Sequence, residues 1–342
     1  MKRLAVLAAA SLSAIAVAAV VVATASGGAQ TQRTPAKTKK TINIAVFLAS
    51  AANTYAEATR LGAQDAAKKA GNVKLTIFDG QFNTNKQLGE LRDALVSKKY
   101  DAWLVYPNDG GPLTQTIKKA ISQGVKVGCV LVPCGPDVRQ TKVQIPGQVV
   151  FDGVGFFRNG QLLGKLVEQG CKGISSCEVF WMPGLPTLPL EQARTAGLKS
   201  VISKDKNIKI VATQAGGYLA APALTATQNV LQAHPNLNVI VSSGDQMIAG
   251  AVRAEAAAGK SGIKMYGNGC TFEAKQLILQ GKQTGCMVYL PRTEGRTVTS
   301  LLIKAVNGSK RTGISLDPLS ESPIGPLGTK ANIAKFNPEF HS

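Results

Sequence analysis

From Ile42 to Leu290 the sequence keeps changing its period. Short apolar runs rich in β-branched residues give way, repeatedly, to stretches whose apolar residues recur three or four apart. The expected strands are INIAVFLA (42–49), VKLTIF (73–78), AWLVY (102–106), VKVGCVLV (125–132), EVFWM (178–182), IKIVAT (208–213), LNVIVSS (237–243), IKMYG (263–267) and GCMVYL (285–290). Between them run helical stripes such as Leu88, Leu91 and Leu95, or Ile248, Val252 and Ala256. The strands are apolar almost throughout, which suits strands covered on both faces and therefore parallel sheets. Alternation of this kind defines an α/β protein, and 342 residues are enough for two doubly wound lobes. After Gly308 the pattern dissolves into SKRTGISLDPLSESPIGPLGTK, too short for a domain and suited to crossing between lobes.

The N-terminal segment is of another kind. Lys2 and Arg3 precede an uncharged apolar run from Leu4 to Ala25, followed by ATASGGAQ. This is the pattern of a secretory signal peptide at 1–25, although the run is also long enough to stay as an uncleaved membrane anchor. Residues 26–40 read as a basic flexible linker carrying Arg33, Lys37, Lys39 and Lys40. An exported, periplasmic or cell-envelope location follows. Six cysteines agree with an oxidising compartment. They fall as local neighbours, so the pairs Cys129–Cys134, Cys171–Cys177 and Cys270–Cys286 are expected, with other connectivities and free thiols still open. Each such short loop would contribute about 2–3 kcal/mol.

The formal net charge of +19 raises nucleic acid as a partner, yet the basic residues are scattered and aromatic residues make up only 5%. An exported surface facing an acidic envelope is the better reading, with no nucleic acid bound. Covalent chemistry finds little support. No GxSxG, HExxH, CxxC or GxxxxGK[ST] occurs, GQLLGK (160–165) lacks the spacing of a phosphate loop, and the only histidines are His234 and His341. No metal, no cofactor and no catalytic residue are expected.

In open α/β sheets a ligand binds beyond the carboxyl ends of the strands. The segments there are SAANTY, DGQFNTN, YPNDGG, PCGPD, MPGLPTLP, TQAGGY, SSGDQM, GNGCTFE and YLPRTE. They hold amides, tyrosines, few carboxylates and, on the following helix, Arg194, a set suited to non-covalent recognition of a small polar molecule.

On these residues the chain resembles the ribose-type periplasmic substrate-binding proteins of ABC importers, the type I group of periplasmic binding proteins. ANTYAEATRLGAQDAAKKAG looks like the family's first binding loop and helix, DAWLVYPNDGGPL its third strand and turn, and EQARTAGLKS the helix with its ligand-binding arginine. LQAHPNLNVIVSSGDQMIAGAVRAEAAAGK and GKQTGCMVYLPRTEGRTV complete the likeness. The resemblance implies a monomer of two lobes, 41–151 plus 291–316 and 152–290 plus 317–342, joined by a three-crossover hinge with the ligand in the cleft between them. It implies a carbohydrate or sugar-like ligand passed to an ABC permease and its ATPase. A sensor that presents its solute to a receptor, or an exported enzyme, are the alternative readings.

Carried over by position, Asn53 would bond sugar hydroxyls and Tyr55 would stack on the sugar face. Tyr106, Arg194, Tyr218, Asp245, Asn268, Tyr289 and Trp181 complete the expected ligand contacts. Plainer roles stand beside these: Asn53 as a helix cap, Arg194 paired with Glu191, Asp245 capping a helix that starts at Gln246, Trp181 in the core, Phe156 packing. The departures are informative. Leu131 and Val132 stand where the family has an Asp-Arg pair, Gly244 where a contacting amide is usual, and Gly269 where an aspartate grips the sugar. Losing two charge-assisted bonds of about 1.5–3 kcal/mol each lowers affinity by about 10²–10⁴. A simple pentose is thereby disfavoured. With Arg194 less offset by acids, the expected ligand is a less hydroxylated or anionic one, such as a sugar acid, a modified sugar or a small aromatic carboxylate.

Overall fold

The alternation resolves into twelve strands and nine α-helices within residues 40–342, the part of the chain that the computed structural model describes. The leader at 1–25 and the linker at 26–40 lie outside the described residues, Lys40 excepted.

The chain first lays down β1 (Ile42–Leu48), α1 (Thr54–Ala70), β2 (Val73–Asp79), α2 (Thr84–Ser97), β3 (Ala102–Val105), α3 (Gly110–Ser122), β4 (Lys126–Val130) and β5 (Val150–Asp152). It then crosses over to α4 (Phe156–Cys171), β6 (Cys177–Met182), α5 (Pro189–Ile202), β7 (Ile208–Thr213), α6 (Ala220–Ala233), β8 (Val239–Ser242), α7 (Asp245–Ala257), β9 (Lys264–Gly269), α8 (Phe272–Leu279) and β10 (Gly285–Val288). It returns through α9 (Pro291–Val306) and β11 (Ile314–Leu316), and crosses a third time to β12 (Leu327–Thr329).

Two six-stranded sheets result, ordered β11-β5-β4-β3-β1-β2 and β12-β10-β9-β8-β6-β7. The first is parallel throughout. The second departs from the expected all-parallel form at one edge, where β12 runs antiparallel to β10. The reason is connectivity: the chain enters that edge on its last crossing, from the other lobe. The central strands are buried on both faces, as in Ala102–Val105 and Val239–Ser242, whereas the edge strand β2 is only partly covered. That burial pattern is what continuous apolar strands require.

Helix pairs cover the sheets by close backbone approach. A Cβ on Gly62 of α1 would lie 1.9 Å from the Arg292 carbonyl oxygen of α9, and one on Gly295 would lie 2.1 Å from that of Thr59. The second lobe repeats the device between α4 and α5, where Gly160 and Gly197 would meet the Arg194 and Phe157 carbonyls at 1.9 and 2.0 Å. Any larger residue at these four positions would push a helix off its sheet.

The strand expected at 125–132 stops at Val130. Leu131 adopts φ 56°, a left-handed conformation costly for a leucine, and its N–H donates to the Asp152 carbonyl at 2.9 Å. The bend is held by the Cys129–Cys134 disulfide; Cys171–Cys177 and Cys270–Cys286 are the other two pairs. Among the described residues no helix is long and apolar enough to cross a membrane.

Candidate functional site

The carboxyl ends of both sheets face one cavity. Asn53 opens α1 as its N-cap, its Oδ1 accepting from the Ala56 N–H at 3.1 Å, so the cap reading of this residue holds while its side chain still lines the cavity. Tyr55 follows in the first turn. Beyond β3, the buried amide of Gln87 ties Tyr106 and Asn108 in place, donating to the Tyr106 carbonyl at 2.9 Å and accepting from the Asn108 N–H at 2.9 Å.

On the first-lobe side the ring of Tyr55 meets three others edge to face: Tyr106 at 5.7 Å, Tyr289 at 5.3 Å and Phe340 at 5.5 Å between centroids. Its hydroxyl donates to Glu294 Oε1 at 2.8 Å, on the first turn of α9. Glu294 is fully buried. Burial raises its pKa well above the carboxylate range; the charge of Asp152 adds to this, and the Tyr55 bond lowers it in part. Burial thus disfavours the ionised form of Glu294. Burial likewise pushes Asp152, at the first crossing, up to about 7, with Glu321 and Asp317 contributing.

On the second-lobe side Arg194 is the centre. Its Nε donates to Asn159 Oδ1 at 2.6 Å, its Nη1 donates to Glu191 Oε1 and to the Tyr218 hydroxyl at 3.1 Å, and its guanidinium lies 5.2 Å from the Phe156 ring centroid. Tyr218 also donates to Glu191. Burial pulls the Arg194 pKa down, but the Glu191 carboxylate more than reverses this, so the guanidinium stays charged. Asn159 extends the network to Asn268, its Nδ2 donating to Asn268 Oδ1 at 3.0 Å, while Asn268 Nδ2 donates to the Ser243 carbonyl at 3.1 Å.

Seven of the nine sequence-predicted contacts line this cavity: Asn53, Tyr55, Tyr106, Arg194, Tyr218, Asn268 and Tyr289. Two do not. Trp181 is fully buried in the core, its Nε1 donating to Thr195 Oγ1 at 3.1 Å, because its strand position faces a helix rather than the cleft. Asp245 neither caps α7 nor reaches the cavity. Gly244 is the N-cap, and the Asp245 carboxylate turns inward to accept from the Thr271 N–H and Gln283 Nε2, each at 3.1 Å, with burial raising its pKa to about 6.

Sequence reasoning missed Asn108, Phe156, Ser243 and Phe340 as lining residues. Ser243 had a signal, since it ends the β8 segment; its buried hydroxyl has no partner within the described protein. Phe340 had none. The basis for an anionic ligand also falls. Arg194 is offset by Glu191, and both side chains are almost fully buried, at 3% and 1% exposure. Among the described residues no carboxylate lines the cavity. Among the described residues no cluster of histidine, cysteine, aspartate or glutamate is placed to hold a metal ion.

The chain matches the family described as the periplasmic binding protein domain over residues 44–310. It is 26% identical to the ribose import binding protein of Escherichia coli over 267 residues, covering 78% of this chain and 86% of that one. It is also 26% identical to the D-allose-binding periplasmic protein of Escherichia coli over 287 residues, covering 82% and 88%. Among solved structures, the fold is shared with an ABC transporter periplasmic solute binding protein from Actinobacillus succinogenes with bound D-allose, at a TM-score of 0.71, 24% identity and coverage of 86% and 100%. Two doubly wound lobes, three crossings and a cavity between the strand ends agree with that match across most of the chain: it belongs to the periplasmic binding protein domain family.

Proposed function

We propose that this chain is the exported solute-binding component of an ABC importer, working as a monomer that captures a small neutral solute and delivers it to a membrane permease with its ATPase. The signal peptide at 1–25, followed by the basic segment 26–40, directs it to the cell envelope. The lobes, 41–151 plus 291–316 and 152–290 plus 317–342, close over the ligand and open to release it unchanged.

The observation that carries this reading is the cavity itself. It is small, about 80 Å³, and lies between the carboxyl ends of the two sheets. Its walls combine the rings of Tyr55, Tyr106, Tyr218, Tyr289, Phe156 and Phe340 with the polar groups of Asn53, Asn108, Ser243 and Asn268. Aromatic faces cover the C–H faces of a sugar-like ring, and a few fixed polar groups orient it. With Arg194 neutralised and no carboxylate on the wall, the ligand is neutral and sparingly hydroxylated: a modified sugar rather than a sugar acid. No nucleophile is paired with a base, so the work is differential stabilisation of a closed state.

Calorimetric titration against neutral sugars, deoxy sugars, polyols and sugar acids is the test, with the bound compound recovered and identified by NMR. Binding of a neutral deoxy or methylated sugar, recovered intact, supports the proposal. Preference for sugar acids, or recovery of a chemically changed compound, overturns it.

A further inference from the structure

Residues 337–342 are fastened to the second lobe yet reach the first. The Phe272 N–H donates to the Phe340 carbonyl at 3.1 Å, and the Ser342 N–H donates to Glu273 Oε2 at 2.7 Å, both on α8. From this anchorage Glu339 takes the first turn of α9: the Thr293 N–H donates to Oε2 at 2.9 Å and the Thr293 hydroxyl to Oε1 at 2.5 Å. A carboxylate at a helix N-terminus is favourably placed, since it meets unpaired N–H groups and the positive end of the helix. The neighbouring Phe340 is 6% exposed and forms part of the cavity wall against Tyr55.

Phe340 sits where it does because residue 269 has no side chain. A Cβ on Gly269 would lie 2.9 Å from both Phe340 Cζ and Asp245 Oδ2, so a neighbour would have to shift, and the backbone there has φ 145°, which disfavours other residues. The space beside Asn268 is thereby filled by an apolar ring delivered from far along the chain, in place of a polar side chain at position 269.

We propose that Phe340 is a specificity-determining residue of the ligand cavity, held in place by a latch in which Glu339 bridges the two lobes. The assignment rests on the solute-binding reading above. A phenyl ring offers no hydrogen bond, so it favours a ligand with a C–H or methyl group at that edge and penalises one with a hydroxyl there. Apolar walls discriminate against an added hydroxyl by about 10–100-fold.

The experiment uses matched probes that differ in one hydroxyl: D-galactose and D-fucose, D-glucose and D-quinovose, D-ribose and 2-deoxy-D-ribose. Titration calorimetry compares the full chain with Phe340→Ala, Phe340→Leu and Glu339→Gln. The wild type should favour the deoxy member of at least one pair, and Phe340→Ala should reduce that preference about tenfold, whereas Phe340→Leu, still apolar, should keep it within about threefold. Glu339→Gln should weaken both members of the pair alike, about three- to tenfold, with their ratio unchanged. A preference untouched in Phe340→Ala overturns the specificity role; affinity untouched in Glu339→Gln overturns the latch. If the wild type binds no probe, the neutral-sugar reading is what fails, and the latch is judged by solution scattering without ligand. A larger radius of gyration for Glu339→Gln combined with Phe340→Ala then supports it, and an unchanged one overturns it.

Discussion

The two walls of the cavity each place a tyrosine against a buried glutamate, and they treat the charge differently. On the second-lobe wall Tyr218 donates to Glu191, which also receives the guanidinium of Arg194. On the first-lobe wall Tyr55 donates to Glu294, with no cation beside it and with Asp152 raising its pKa further. One wall therefore holds a compensated ion pair, the other a lone acid whose ionised form burial disfavours. Both arrangements work against net negative charge beside the lining, one by pairing and one by burial. They differ in how they fail: a buried pair is vulnerable to loss of either partner, a lone buried acid to becoming ionised.

The largest effect is expected from breaking the compensated wall. Arg194→Met strands the Glu191 carboxylate in the interior and should cost about 3–5 kcal/mol of stability in urea unfolding, along with measurable ligand binding. Adding Glu191→Leu should recover most of that stability; a double variant no more stable than the single one would show that the arginine acts through packing instead.

The acid-bearing wall is sharpened by pH. Asp152 has its folded pKa raised from 3.8 to about 7, so its contribution to stability is full below pH 3.8 and is lost as pH rises through about 7. Compared with wild type, Asp152→Asn should abolish a stability loss on the order of 2–4 kcal/mol across that interval. Equal pH profiles for the two proteins would remove Asp152 from the comparison. Glu294→Gln should act in the same sense, because its folded pKa is also raised by burial.

The smallest effects come from the tyrosines. Tyr218→Phe removes a bond to a glutamate paired with Arg194 and should cost about 1.5–3 kcal/mol, whereas Tyr55→Phe removes one to a glutamate whose ionised form burial disfavours and should cost about 0.5–1.5 kcal/mol. Equal costs in thermal unfolding would mean that Glu294 is ionised after all, and the contrast between the walls would collapse.

How much of this was legible in advance follows from the range of each interaction. Asn53, Tyr55, Tyr106 and Tyr289 sit at strand ends or in the first turn after them, so finding the strands locates them. Trp181 and Asp245 also sit near strand ends, yet they point into the core. Strand alternation has a period of two, and which set faces the cleft depends on where each strand stops and what packs over it. The strand break at Leu131 was illegible for a related reason: an apolar run carries no mark of the bend that Asp152 and the Cys129–Cys134 disulfide impose.

The sequence by itself determined the α/β architecture, a length sufficient for two lobes and the close spacing of the cysteines, because periodicity and short spacing are properties of neighbouring residues; which cysteines pair is seen only in the structure. Tertiary structure alone decided the charge and shape of the cavity. The Tyr55–Glu294 bond spans 239 residues, and Phe340 reaches the space left by Gly269 only after a third crossing between lobes. Burial sets the protonation of such groups, and burial exists only once distant segments have packed.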